Sequence, residues 1–228
     1  MEQIVGSSDY YNVPAHLCSR EGQSHSQGLA KKERWDLTPQ SLLHEQATLW
    51  VTQNYSNADH LLKTEEWLVR LKPDASEALR LAALTHDMER AFPGPDSPES
   101  DPAVDGVDHI YTRAHSERSA RVVEAFLREQ KADKALIAAV VELVRVHEYG
   151  GWPEADLLQA ADSLSFLEVN IGLFLLRLNS FSSRRAGEQV RAKFTWMYER
   201  IQLDEARTLA TPLYESALER LGQRLHQS

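Results

Sequence analysis

The sequence predicts an all-α protein. From about Thr38 onward, apolar residues recur at steps of three and four, and no stretch of useful length alternates with period two. Capping residues and glycine or proline breaks divide that run into segments of helical length, and no internal repeat is present.

The elements follow in order. Residues 1–36 are rich in Ser, Gly, Gln and His, lack periodicity and read as a polar N-terminal tail, in which His16 and His25 are solvated loop residues. Residues 37–228 form one helical domain. Thr38-Pro39 supplies a capping hydroxyl and a first-turn proline for a helix running to about Asn54. A second helix covers Asn57–Leu71. Asp74–Glu77 offers an N-cap and a first-turn acid for a third, ending near Arg90. The stretch Phe92–Asp108 holds four prolines and five acidic residues, which excludes helix and central strand; so long a loop suits a lid or rim, or a surface insertion. Helices at about Ile110–Gln130 and Asp133–Glu148 come next. Gly150-Gly151 breaks the chain and Trp152-Pro153-Glu154 restarts it. Glu154–Leu178 reads as the central, most buried helix. Amphipathic helices at about Arg184–Ile201 and Asp204–His226 close the chain, with a kink or break expected at Pro212.

Bulk properties narrow the function classes. A chain of 228 residues with 42% hydrophobic and 26% charged content suits one sizeable soluble core. The formal net charge of -9 argues against broad nucleic-acid binding or attachment to an anionic membrane. The most apolar stretch, Leu164–Leu178, is interrupted by Ser165, Glu168, Asn170 and Arg177, so no membrane span is expected. No apolar leader is visible, and the lone cysteine, Cys18, precludes an intrachain disulfide. A cytoplasmic location is the expectation.

The residues that carry chemistry are spaced along the helices. His86-Asp87 is a compact offer of imidazole and carboxylate to a divalent metal. His60 shares a face with Thr64, Trp67 and Leu71, and His86 with Leu79, Ala82 and Ala83. His115 lines up with Ser119, Val122 and Phe126, His147 with Leu136, Val140 and Leu143, and Asp162 with Leu158, Ser165 and Val169. Five helices therefore aim imidazole or carboxylate along their own apolar stripes. One such residue is usually a hydrogen-bonded core histidine; five with ligand chemistry point to a common cation, which also compensates buried carboxylates.

The order His60, His86-Asp87, His115, His147, Asp162 resembles the HD superfamily of all-helical, metal-dependent phosphohydrolases. The resemblance covers about Asp59 to Leu178. Its local carriers are Leu81-Ala82-Ala83-Leu84-Thr85-His86-Asp87, the run His115-Ser116-Glu117-Arg118-Ser119-Ala120, and Ala160-Ala161-Asp162-Ser163-Leu164, the last two similar to the bacterial nucleotide-pyrophosphohydrolase branch. The resemblance implies an HD-domain helical bundle with a long loop after the His-Asp helix. It implies His60, His86, Asp87 and Asp162 as primary ligands of a divalent metal (Mn, Fe, Mg, Co or Ni). His115 and His147 would bind a second ion, or else phosphate or the attacking water, so one or two ions are expected. Two departures stand out. Met88-Glu89-Arg90 replaces a lysine common after His-Asp, and Glu148 follows His147 where some two-metal members carry histidine.

The expected activity is hydrolysis of a phosphate ester or anhydride on a nucleotide or another small phosphorylated metabolite. Glu89 or Glu148 is the candidate general base, although each alone reads as a surface or helix-end acid. Arg113, Arg118 and Arg145 are candidate phosphate partners, each alone reading as part of a solvated face. Arg90 reads as a solvated helix-end cation. The alternative is a mixed-valence diiron oxygenase of the same superfamily, similar to myo-inositol oxygenase; the third reading is a non-catalytic nucleotide-sensing module. The closing helices leave room for a homodimer face.

Overall fold

The computed structural model describes residues 41–101, 103–104, 106–178 and 184–226, and within them every regular element is helical. The polar tail, with His16, His25, Cys18 and the expected start at Thr38-Pro39, lies outside the described residues. The first helix, α1, spans Leu42–Asn54. Its cap is Ser41, whose hydroxyl accepts from the His44 amide at 3.2 Å. Helix α2 covers Ala58–Leu71, and α3 covers Glu77–Thr85. Ser76 caps α3, accepting from the Leu79 amide at 3.3 Å.

The third helix is shorter than the sequence suggests. It ends at Thr85, His86-Asp87 forms a turn, and Met88–Ala91 continues as a 3₁₀ turn. The reason is local: Asp87 adopts φ -100°, ψ 6°, and the following amides bond three residues back, Arg90 to Asp87 and Phe92 to Glu89, both at 3.1 Å. The stretch from Phe92 to Asp108 is free of helix and strand at its described positions, as expected. Asp108 then caps α4, His109–Glu129, accepting from the Ile110 and Tyr111 amides at 3.0 Å each. Asp133 caps α5, Lys134–Val146.

Gly150-Gly151 turns the chain into the next helix with φ of 69° and 128°. At Gly150 a Cβ would lie 2.3 Å from the Asp156 carboxylate, which accepts instead from the Gly151 amide at 2.8 Å. Helix α6, Pro153–Ser165, runs on through a π-turn, Phe166–Asn170, into α7, Ile171–Arg177. The single central helix expected is thus one continuous rod with a bulge. Helices α8, Arg184–Glu199, and α9, Asp204–His226, close the bundle. Helix α9 continues through Pro212 without a break, because Ala206 and Ala210 before the proline and Ala217 and Leu221 after it are all buried.

Leu61 and Leu68 of α2, Leu79, Leu81 and Leu84 of α3, Val140 and Val144 of α5, and Leu158 and Leu164 of α6 form the interior. Helix α2 packs on α6 and α3, α5 on α3 and α4, and α8 and α9 cover α6. No helix among the described residues is long and apolar enough to cross a membrane. This packing brings the first turn of α2, the end of α3, the second turn of α4, the end of α5 and the last turn of α6 to one place.

Candidate metal centre

The six sequence-predicted ligands are brought together and buried: His86 and His115 are fully enclosed, and His60, Asp87, His147 and Asp162 are each at most 4% exposed. They fall into three overlapping groups with ligand atoms within 4.8 Å of one another: His60, His86 and Asp162; His86, Asp87 and His147; and His115, His147 and Glu148. Each group could hold a metal ion, and His86 and His147 are the shared members.

The backbone fixes which nitrogen each histidine offers. His86 ends α3 and donates from Nδ1 to the Ala83 carbonyl at 3.0 Å; His147 ends α5 and donates from Nδ1 to the Val144 carbonyl at 2.7 Å. A carbonyl can only accept, so the proton sits on Nδ1 and Nε2 points into the cluster. His60 reaches the same state by another route. Ser165 donates its hydroxyl proton to the His60 carbonyl at 2.7 Å, so its oxygen accepts from His60 Nδ1 at 2.8 Å. His60 Nε2 then lies 3.1 Å from Asp162 Oδ1. Anchoring of the outer nitrogen is the arrangement metal-binding imidazoles require.

Nε2 of His86 and Nε2 of His147 are buried without a hydrogen bond among the described residues. Their nearest carboxylates stand off, Asp162 at 3.5 Å from His86, and Glu148 and Asp87 at 3.8 and 4.0 Å from His147. Burying such atoms without a partner is costly, and a metal ion satisfies both.

Charge leads to the same place. Asp87 is paired with Arg90 at 3.2 Å, and Glu89 with Arg118 at 2.9 Å. Glu148 and Asp162 share a single guanidinium, that of Arg200, which donates to both carboxylates and to Ser163 Oγ at 2.8 Å. Two buried carboxylates against one guanidinium call for a second cation, a place that protonated His86 fills in the metal-free protein and that a metal ion would take over. Burial opposes the ionised forms of Asp162 and Asp87, but Arg200 on Asp162 and Arg90 on Asp87, with the nearby imidazoles, hold both carboxyls well below the usual range. Burial likewise opposes charge on His86, yet Asp162 and Asp87 raise it to about 9. His147 goes the other way: burial, with His86 and His115 as like charges, outweighs Glu148 and lowers it to about 4.

His115 is built differently. Nδ1 lies 2.9 Å from Glu89 Oε1 and Nε2 lies 2.8 Å from Asp87 Oδ1, with Arg90 3.2 Å from the same Nε2. Burial and Arg90 disfavour its charged form, and the two carboxylates overcome them and raise it.

Four residues lie deeper than the sequence suggests. Glu89 and Glu148 are buried at 4% and 6% exposure rather than lying at the surface. Arg118 is buried too, donating to Glu89 and to the Phe92 carbonyl, so it clamps the start of the loop to the cluster. Arg90 is half-buried and bonded to Tyr111 at 2.7 Å as well as to Asp87. Arg113 and Arg145, by contrast, are exposed, and Arg145 pairs with Glu117, outside the cluster.

Residues 36–182, well over half of the chain, match a family model described as a domain of unknown function, DUF4202. The chain belongs to the DUF4202 family. No curated protein matches it, and no solved structure does. All six ligand candidates lie within the DUF4202 stretch. Lys193 and Arg200 lie beyond it, on or just after α8, and the sequence reading missed both. Their signal is the spacing Lys193, Trp196, Arg200: two cations flanking one indole on a helix face, at 4.3 and 4.5 Å from the ring centre. Away from the centre, a groove of about 530 Å³ between α1 and α4 is lined by Trp50, with Phe92 and Phe126 each stacked on it, and by no ligand candidate.

Proposed function

We propose that this chain is a metal-dependent phosphohydrolase acting on a nucleotide or another small phosphorylated metabolite. One observation carries the reading: two buried imidazole nitrogens, His86 Nε2 and His147 Nε2, have no hydrogen-bond partner among the described residues and stand amid the carboxylates of Asp87, Glu148 and Asp162. The primary ligands are His60, His86, Asp87 and Asp162, with His147, Glu148 and His115 extending the set toward a second ion. The mixed nitrogen and oxygen donors suit Mn, Fe, Co or Ni, and admit Mg. Bound there, the cation supplies Lewis acidity toward a phosphoryl oxygen and acidifies water.

The chain's own residues supply the rest. His115, braced by Glu89 and Asp87, holds a proton at Nδ1 against Glu89 and a second at Nε2 against Asp87, one of the first ligands. Glu89 is the positioning residue for that imidazole, and Arg118 holds Glu89 in turn. Glu148 keeps one carboxylate oxygen for the centre while the other is held by Arg200. Purified protein with added manganese should release phosphate or pyrophosphate from a member of a nucleotide panel, and His86→Ala should abolish release. Failure of the whole panel at saturating metal would remove the reading.

The third group, His115, His147 and Glu148, also favours a second reading. Room for a second ion suits a mixed-valence diiron oxygenase of the HD type. Two irons per chain with a visible absorption band, in protein purified without added metal, select it over the hydrolase. Metal binding with no turnover of either kind selects the nucleotide-sensing module.

A further inference from the structure

Among the described residues, Lys193 is a cation near the centre that is not tied to a carboxylate. The arginines there are all committed: Arg90 to Asp87, Arg118 to Glu89, Arg200 to Glu148 and Asp162. The half-buried ammonium of Lys193 has no ion-pair or hydrogen-bond partner among the described residues. Its neighbours are the rings of Trp196, at 4.3 Å, and Phe166 of the π-turn, at 5.6 Å. Yet it is close enough to Glu148, Arg200, Arg90 and Asp162 for their charges to act on it. Burial, with Arg200 and Arg90 as like charges, pulls it down to about 8 against Glu148 and Asp162.

We propose that Lys193 is the receptor for an oxygen of the substrate's phosphoryl group, placed beside the centre by the indole it shares with Arg200, which itself holds Glu148 and Asp162. An ammonium brings three donors and a full charge, and the ring faces of Trp196 and Phe166 attract that charge without supplying a lone-pair acceptor. A counter-ion for Glu148 and Asp162 would sit in contact with them, as Arg200 does; Lys193 does not. A phosphoryl oxygen supplies the anion and the acceptors that the protein leaves out. This inference rests on the phosphohydrolase reading for its substrate class. It adds a binding residue that lies outside the family-matched stretch.

The test is calorimetric titration of inorganic phosphate into the manganese-loaded full chain, together with titration of manganese alone. Lys193→Met should weaken phosphate by about tenfold or more, and Lys193→Arg should recover most of the loss, since a charge-assisted hydrogen bond is at stake. Manganese affinity should stay within about threefold in both variants, and thermal midpoints should match wild type. Phosphate affinity equal to wild type in Lys193→Met overturns the inference while leaving the hydrolase reading standing. A main effect on manganese affinity overturns it too, and assigns Lys193 to charge balance. Phosphate binding that depends on Lys193 in a protein that takes up no manganese supports the inference and removes the hydrolase reading. Absence of phosphate binding by wild type removes the inference outright.

Discussion

His86 and His147 stand with ring centroids 4.9 Å apart, and each is the residue that ends its helix and hydrogen-bonds the carbonyl three positions earlier. One construction is thus used twice, from α3 and from α5, to direct two Nε2 atoms into a shared space. Helix ends are suited to this task, because the last carbonyls lack an intrahelical donor and a terminal imidazole can supply one.

Metal linkage follows from it. Chelation should lower the thermal midpoint of the protein and manganese should restore it, with a gain of about 2.7 kcal/mol at a hundredfold excess over the dissociation constant. His86→Ala should remove that dependence, since it deletes the member common to two groups. Thermal scans with and without chelator check both statements.

Metal affinity should rise with pH across the neutral range. His86 must be neutral to bind, and in the metal-free protein Asp162 and Asp87 keep it charged to about 9. Each pH unit below that value should cost up to about tenfold in apparent affinity from this group. Titrations in buffers of different ionisation enthalpy should detect the displaced proton.

The metal-free protein should be most stable near pH 6.5, with limbs falling on both sides. His86 binds its proton up to about 9 when folded but only to about 6.5 when unfolded, so its contribution is lost as pH rises through that window. His147 stays neutral down to about 4 when folded, so the unfolded chain binds the extra proton between about 4 and 6.5, and stability falls as pH drops. Each limb is worth on the order of 3 kcal/mol. Bound metal should flatten the alkaline limb by holding His86 neutral. Urea denaturation at several pH values, with and without manganese, measures this.

Arg200→Ala should destabilise by about 3–5 kcal/mol, because it leaves Glu148 and Asp162 buried without their cation. Excess manganese should recover part of the loss by taking over some of that charge. Equal losses with and without metal would separate Arg200 from the metal centre.

The all-helical architecture and much of the site were legible because period and placement coincide. His60, His115 and Asp162 sit inside regular helices, so steps of three and four put them on buried stripes. The turn at His86-Asp87 was not legible: Leu81 to Thr85 is uniformly helical in character, and the helix ends where Asp87 leaves the helical backbone and the chain tightens into a 3₁₀ turn. The burial of Glu89 and Glu148 was missed for a related reason, since an acid at a helix end is normally solvated and only Arg118 and Arg200, distant in sequence, reverse that. Lys193 lies on α8 and Arg200 just after it, in a stretch that reads only as amphipathic; their inward direction depends on where α8 docks, which no local pattern encodes. The paired cations around Trp196 were the one available cue.

The π-turn at Phe166–Asn170 carries a consequence for the phase of the long rod. It acts as one surplus residue in an otherwise regular winding, and each residue advances an α-helix by about 100°. Upstream, Asp162 and Ser165 face α2; downstream, Phe174 is angled to meet Phe166 and Phe194 in edge-on contacts with centroids 5.1 and 6.0 Å away. Deleting a single residue there would leave His60 and Asp162 aligned but swing Phe174 about a quarter-turn off Phe194. The ligand half of the molecule and the helix bearing Lys193 are therefore kept in step by an insertion one amino acid long.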